Sequence, residues 1–201
     1  MAIFKIVYWL AIIAEMVIRA PISKLQRKEA KSEQRVSTQE KTLLGLLFLT
    51  MFFIPLAYST TKWLDFANYS LPVWAGWLGV VLMVCALLVF WRAHADLGLN
   101  WSPSLEIRKE HKLITNGIFE YIRHPMYASQ WIWVIAQPLL LQNWIAGLAN
   151  LLLFIVFYFV RVRAEEKMML DTFRDEYREY MKRTGTVVPR RFKLGHHDVN
   201  R

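Results

Sequence analysis

The sequence predicts an all-α integral membrane protein. It has five transmembrane helices, a folded cytosolic lid over 94–126, and a C-terminal helix extending into the cytosol. Three observations carry this. Of 201 residues, 55% are apolar, and they fall in long blocks rather than a dispersed pattern. The chain is nonetheless basic, at +9, and its cations gather between the blocks on one alternating set of connections. Helix start and stop residues stand at the block edges. At this length the chain reads as a single domain, 1–201.

Residues 3–18 form the first span, closed by Arg19 and Pro21. The run lacks the small-residue cleavage pattern of a signal peptide and reads as a retained helix. Residues 42–58 form the second. Ser37 and Glu40 have capping-box spacing before it, and Pro55 is placed to kink it. Residues 71–91 form the third, with Ser70 as its expected N-cap and Pro72 in its first turn. The block 127–160 would be roughly 50 Å long as one helix, too long for one span. "LLQNW" at 140–144 breaks it, so a tight hairpin is expected, 127–141 and 144–161.

Charge selects five spans over four. The 19–41 connection, the 92–126 connection and the tail from 161 hold 7, 5 and 11 Lys or Arg, against Lys5 and Lys62 on the other side. The positive-inside rule then places the N-terminus outside and the C-terminus in the cytosol. The basic excess is explained by topology and anionic headgroups. No nucleic-acid module is visible, so no nucleic-acid partner is expected. Cys85, the sole cysteine, excludes a disulfide framework. The five histidines lack metal-ligand spacing, and neither a Gly-x-Gly fingerprint nor a P-loop occurs.

Polar sequence of specific character occurs in two places. Residues 94–127 carry turn signals at Ser102-Pro103 and Asn116-Gly117 and too many apolar residues for a disordered linker. Short extended pieces are expected there. Pro125 pushes His124 out of helical geometry and can itself begin a helix, which sets Arg123 and His124 at a helix N-terminus, an anion-facing position. In 161–180, apolar residues at 162, 169, 170, 173, 177 and 180 keep helical spacing, so the fifth span should continue into the cytosol. Arg161 and Glu165 share a face, and Glu165-Glu166 is a like-charge pair in need of a cation. A pair of this spacing is ordinarily a surface contact worth a few tenths of a kcal/mol. His196-His197 reads as part of a loose tail.

Taken together, "LGLNWS", "EHKLITNGIFEYIRHPMY", "RVRAEE" and "FRDEYREYMKRTGTVVP" in this order resemble the isoprenylcysteine carboxyl methyltransferase family. The wider group includes phospholipid N-methyltransferases. The resemblance covers about 94–190. Arg-His-Pro-x-Tyr, a Glu-Glu pair about 38 residues later, and an aromatic helix make a specific combination.

The resemblance implies an S-adenosylmethionine site in two regions, 94–127 and 161–190, with S-adenosylhomocysteine as product. His111, Lys112, Leu113 and Ile114 would wrap the cofactor. Phe119 stands where relatives often have Tyr. His124, Pro125 and Tyr127 match a second cofactor stretch, Glu165 the cofactor-binding glutamate, and Arg161 the substrate-facing arginine. Arg161 and Glu165 are thus the candidate catalytic residues. Ser104 replaces a longer amide of some relatives. The expected partners are the bilayer and a lipophilic methyl acceptor. An isoprenylcysteine-like carboxylate is the first acceptor; a phospholipid or other lipophilic amine is the alternative, which would need a base such as His124 or Glu166. A membrane scaffold or transporter is the non-enzymatic reading, against which stands the near absence of ionisable residues in the spans, Glu15 excepted.

Overall fold

The computed structural model describes residues 2–29, 38–98 and 113–190. Every long element among them is helical: α1 (Ala2–Glu29), α2 (Thr38–Phe48), α3 (Ile54–Thr60), α4 (Val73–Leu97), α5 (Pro125–Leu141) and α6 (Trp144–Arg183). Among the described residues, three helical stretches are long and apolar enough to cross a membrane: Lys41–Thr60, Val73–Leu97 and Trp144–Arg183. The molecule is an integral membrane protein built on them.

Several expected boundaries move. The first helix does not stop at Arg19 but continues through Pro21 to Glu29. A proline costs one hydrogen bond and strains the turn before it, which a long helix can accommodate as a bend. The third helix starts after Pro72 rather than on a Ser70 cap, and Pro72 is itself the extended residue before Val73. It also runs on to Leu97, taking His94 out of the expected lid and burying it. Ser37 of the expected capping pair lies outside the described residues.

The helix is irregular one turn before Pro55. Residues Leu49–Phe53 widen into a π turn before α3. Proline has no N–H for the carbonyl four residues back, so the carbonyl of Met51 is left over. The Tyr8 hydroxyl of α1 donates to it. The neighbouring Thr50 carbonyl accepts from Gln137 Nε2 of α5 at 3.3 Å.

Gln137 also donates to the Ala146 carbonyl at 2.7 Å and accepts from Asn150 Nδ2 at 2.8 Å. It is fully buried and ties the π turn to α5 and α6. Inside a bilayer such groups have no water to fall back on. Gln137→Leu should therefore destabilise the detergent-solubilised protein by about 1–2 kcal/mol. Thermal unfolding followed by tryptophan fluorescence checks this, and an unchanged melting temperature would make the network dispensable.

The expected hairpin forms at the polar break. Gln142 adopts the left-handed conformation, and the Asn143 side chain caps α6 by accepting from Ile145 and Ala146 N–H at 3.1 and 2.9 Å. Two apolar clusters flank α5. One packs Tyr8, Tyr58, Met83, Ala86, Trp133 and Leu140 from α1, α3, α4 and α5. The other packs Val134 against Phe154, Phe157, Tyr158 and Val162 of α6, with Leu43 and Leu47 of α2 alongside. Trp63, Phe66, Trp74 and Trp144 stay exposed where α3 ends and α4 and α6 begin. This aromatic group lies at the opposite end of the helices from His124, where interfacial Trp is expected to meet headgroups.

Candidate active site

The polar residues singled out in the sequence meet where α5 begins and α6 leaves its apolar stretch. His124 is the extended residue before α5, and Pro125 is the first helical one, as the His-Pro order requires. Tyr127 lies in the first turn of α5. Its ring packs on Phe157 and Tyr158 of α6, and its hydroxyl donates to Glu165 Oε1 at 2.7 Å. Arg161 is 7% exposed, and its Nε donates to the same oxygen at 3.0 Å. The Arg161–Glu165 spacing is therefore no exposed surface pair. It forms one side of a polar site.

His124 lies between two carboxylates. Its Nδ1 is 3.4 Å from Glu165 Oε2, and its Nε2 is 3.4 Å from Glu166 Oε1. Nε2 is buried and makes no hydrogen bond of good geometry. Burial works against a charged imidazole, but Glu165 and Glu166 outweigh it and raise the His124 pKa above the ordinary histidine value. Burial likewise opposes ionisation of Glu165, yet His124, Tyr127 and Arg161 hold its carboxyl below the usual range. Glu166 is held low by His124 and Arg123.

Sequence reasoning missed the residues that shape the loop before His124. Asp96, in the last turn of α4, accepts from the Ile118 N–H at 2.7 Å and pairs with Arg92. It thereby fixes the short 3-10 turn Gly117–Glu120. Gly117 has φ +62°, and a Cβ there would lie 2.2 Å from Asp96 Oδ2, so glycine is required twice over. Phe119 is buried behind this turn, and its carbonyl accepts from the Tyr180 hydroxyl at 2.6 Å. Arg174 (φ 46°) breaks α6 just before the segment that carries Tyr180. The helix continues past the apolar stretch as expected, but not as one straight rod. Leu113 and Ile114 are half-buried in the stretch that leads to the turn. His111, Lys112 and Ser104 lie outside the described residues.

An all-helical membrane protein with an arginine–glutamate–histidine site at a helix mouth defines a class of membrane-embedded proteins with a polar chemistry site at the interface. Within that class, residues 77–171 match the model of the isoprenylcysteine carboxyl methyltransferase (ICMT) family. The match begins inside α4 and ends before the last turns of α6.

Relatives named protein-S-isoprenylcysteine O-methyltransferase include one from Schizosaccharomyces pombe, 35% identical over 40% of this chain and 34% of its own length. One from Tribolium castaneum is 30% identical over 71% of this chain and 47% of its own length. The human one is 29% identical over 64% and 49%. The chain thus spans about half, or less, of the length of these relatives. A solved structure of a eukaryotic intramembrane Ras methyltransferase, ICMT, superposes with a TM-score of 0.56 at 23% identity. It covers 87% of this chain and 61% of that one, and it establishes the likeness of fold.

Proposed function

We propose that the chain is a single membrane methyltransferase domain with five spans, its N-terminus outside and its site and C-terminus at the cytosolic face. It methylates, from S-adenosylmethionine, the carboxylate of an isoprenylcysteine-like lipid. The family match and the names of the relatives support the reaction. The aromatic group at the far end and the one-sided cations support the orientation.

The observation that selects a carboxylate over an amine is the state of the two candidate bases. An amine must lose a proton before it attacks, so a base must stand ready. His124 is held by two carboxylates and keeps its proton more tightly than an ordinary histidine. Glu166 is paired with Arg123 and has its pKa depressed, which makes it a poor proton acceptor. A carboxylate acceptor is already ionised at neutral pH and needs neither.

The donor set fits the cofactor. S-adenosylmethionine supplies an electrophilic methyl and carries an ammonium and a sulfonium. Glu165 offers a carboxylate for such a cation, and the buried Phe119 ring and the half-buried Leu113 and Ile114 offer an apolar wall. The family resemblance adds His111 and Lys112 to the residues proposed to contact the cofactor. Pro125 and Tyr127 hold the helix mouth in place. Arg161 orients the acceptor carboxylate through its planar guanidinium. The rate gain is alignment of two reactants without a proton in flight.

Detergent-purified protein should transfer labelled methyl to a farnesylated cysteine analogue, giving a base-labile product. The rate should lack the steep rise between about pH 6 and 9 that deprotonation of an amine acceptor would impose. Base-stable label on an amine lipid, with a rate climbing steeply over that range, would replace the carboxylate acceptor with an amine.

A further inference from the structure

Arg123 is a surface-type residue in an unusual place. Its side chain is only 8% exposed. Its Nε and Nη2 donate to Glu166 Oε1 at 3.0 and 2.9 Å. Nη1 donates to the Thr184 carbonyl at 2.7 Å, and Nη2 to Thr186 Oγ1 at 3.0 Å. One guanidinium therefore joins the loop before α5, the middle of α6, and the segment after α6.

The backbone repeats the connection. Arg123 and His124 N–H groups donate to the carbonyls of Gly185 and Thr186 at 2.8 and 2.9 Å, and the Gly185 N–H donates to Tyr121 O at 3.1 Å. Residues 184–186 thus lie beside 121–124 as a short parallel strap. A Cβ on Gly185 would approach the Val188 carbonyl to 1.7 Å, so the strap's turn is built for glycine. The strap lies outside the family match, which ends at residue 171.

Glu165 and Glu166 are neighbours in sequence and share one histidine, yet their other partners differ. Glu165 has Tyr127 and Arg161; Glu166 has Arg123. Three or more hydrogen bonds from a buried guanidinium hold a group far more firmly than a screened surface pair does.

We propose that Arg123 is a positioning residue that divides the glutamate pair. It ties Glu166 to the 184–186 strap as a structural group and leaves Glu165 as the carboxylate that serves the cofactor. The second half of this rests on the methyltransferase reading; the first half does not.

The division has a signature in the titration of His124. The groups facing Glu166 are Arg123 and His124 from the loop, with Glu165, Tyr158 and Tyr177 on its own helix. Those facing His124 are both glutamates of α6 and the Tyr127 ring of α5. In Arg123→Gln, Glu166 loses its guanidinium and keeps His124 as its remaining cationic partner. That change favours the imidazolium. A merely structural arginine would instead loosen the site, wet His124, and let its pKa fall toward the ordinary value.

The experiment is histidine-labelled NMR of the detergent-solubilised full chain, with methyl-transfer rates measured on the same samples. Arg123→Gln should move the His124 midpoint up and lower turnover by on the order of tenfold or more. Arg123→Lys keeps the charge and loses the fork, so its midpoint should stay near that of the unsubstituted protein while turnover falls less. An unmoved or lowered midpoint in Arg123→Gln overturns the division of the pair, as does full turnover. If Arg123→Gln does not fold, undiminished turnover in Arg123→Lys overturns it. An upward midpoint in a protein that neither transfers methyl nor binds S-adenosylhomocysteine upholds the division and sinks the methyltransferase reading instead.

Discussion

Arg161→Ala will abolish methyl transfer, by a hundredfold or more on the order of other lost orienting contacts, while binding of S-adenosylhomocysteine stays within a few-fold. The asymmetry follows from the partners. Arg161 is buried at the point where α6 leaves the apolar core, with Nε on Glu165 Oε1. Removing it takes one donor from Glu165 but leaves the Tyr127 hydroxyl at 2.7 Å and His124 at 3.4 Å, so the carboxylate keeps partners and charge. The cofactor side should therefore survive. The acceptor loses the planar fork proposed to orient its carboxylate, and lysine should not restore it, because a point charge cannot fix the orientation of two oxygens. Equilibrium binding of labelled S-adenosylhomocysteine and initial rates with a farnesylated cysteine analogue separate the two effects. An Arg161→Ala protein that turns over normally would remove the arginine from the acceptor's site.

Those features are legible in the sequence whose cause is local. The hairpin follows from Gln142 and Asn143 interrupting an apolar block: one residue takes the left-handed turn and the next caps the following helix. The placement of His124 at a helix mouth follows from the proline after it. Arg161 and Glu165 sit four apart on one helix, and their contact follows from the helical period. The comparisons then bear out the family that these local pieces resemble.

What was not legible depends on pairs far apart in the chain. Asp96 and Ile118 meet because α4 runs two turns beyond the expected end of its span, and hydropathy does not mark where a helix outlasts its apolar stretch. Arg123 and Glu166 are 43 residues apart, and Arg123 and Thr186 are 63 apart. No periodicity reports such contacts. The two glutamates are equivalent on paper as a like-charge pair, and only the packing of α5 on α6 gives them different neighbours. The π turn is a similar case. Pro55 announces a defect, but Tyr8 and Gln137 decide that the leftover carbonyls are satisfied by a widened turn.

Glu165→Gln is the complementary test, because it removes charge and little else. The amide keeps the size of the carboxylate and can still accept from the Tyr127 hydroxyl, so the fold around α5 and α6 should hold. Lost is the anion that the cofactor's cationic end would meet, and with it one of the two carboxylates that raise the His124 pKa. A hydrogen bond to a charged group is worth about 1.5–3 kcal/mol, so S-adenosylhomocysteine, which retains the ammonium, should bind roughly tenfold to a hundredfold more weakly. The His124 pKa should fall, since one of its two carboxylates is gone, and the sign is opposite to that expected for Arg123→Gln. Turnover at saturating cofactor should recover in part, in contrast to Arg161→Ala, where added cofactor restores nothing. Unchanged binding in Glu165→Gln would mean that the carboxylate serves only to orient Arg161 and Tyr127. The cofactor's cation would then have to be met by another group, and Glu166, released from its structural role, would be the first to test.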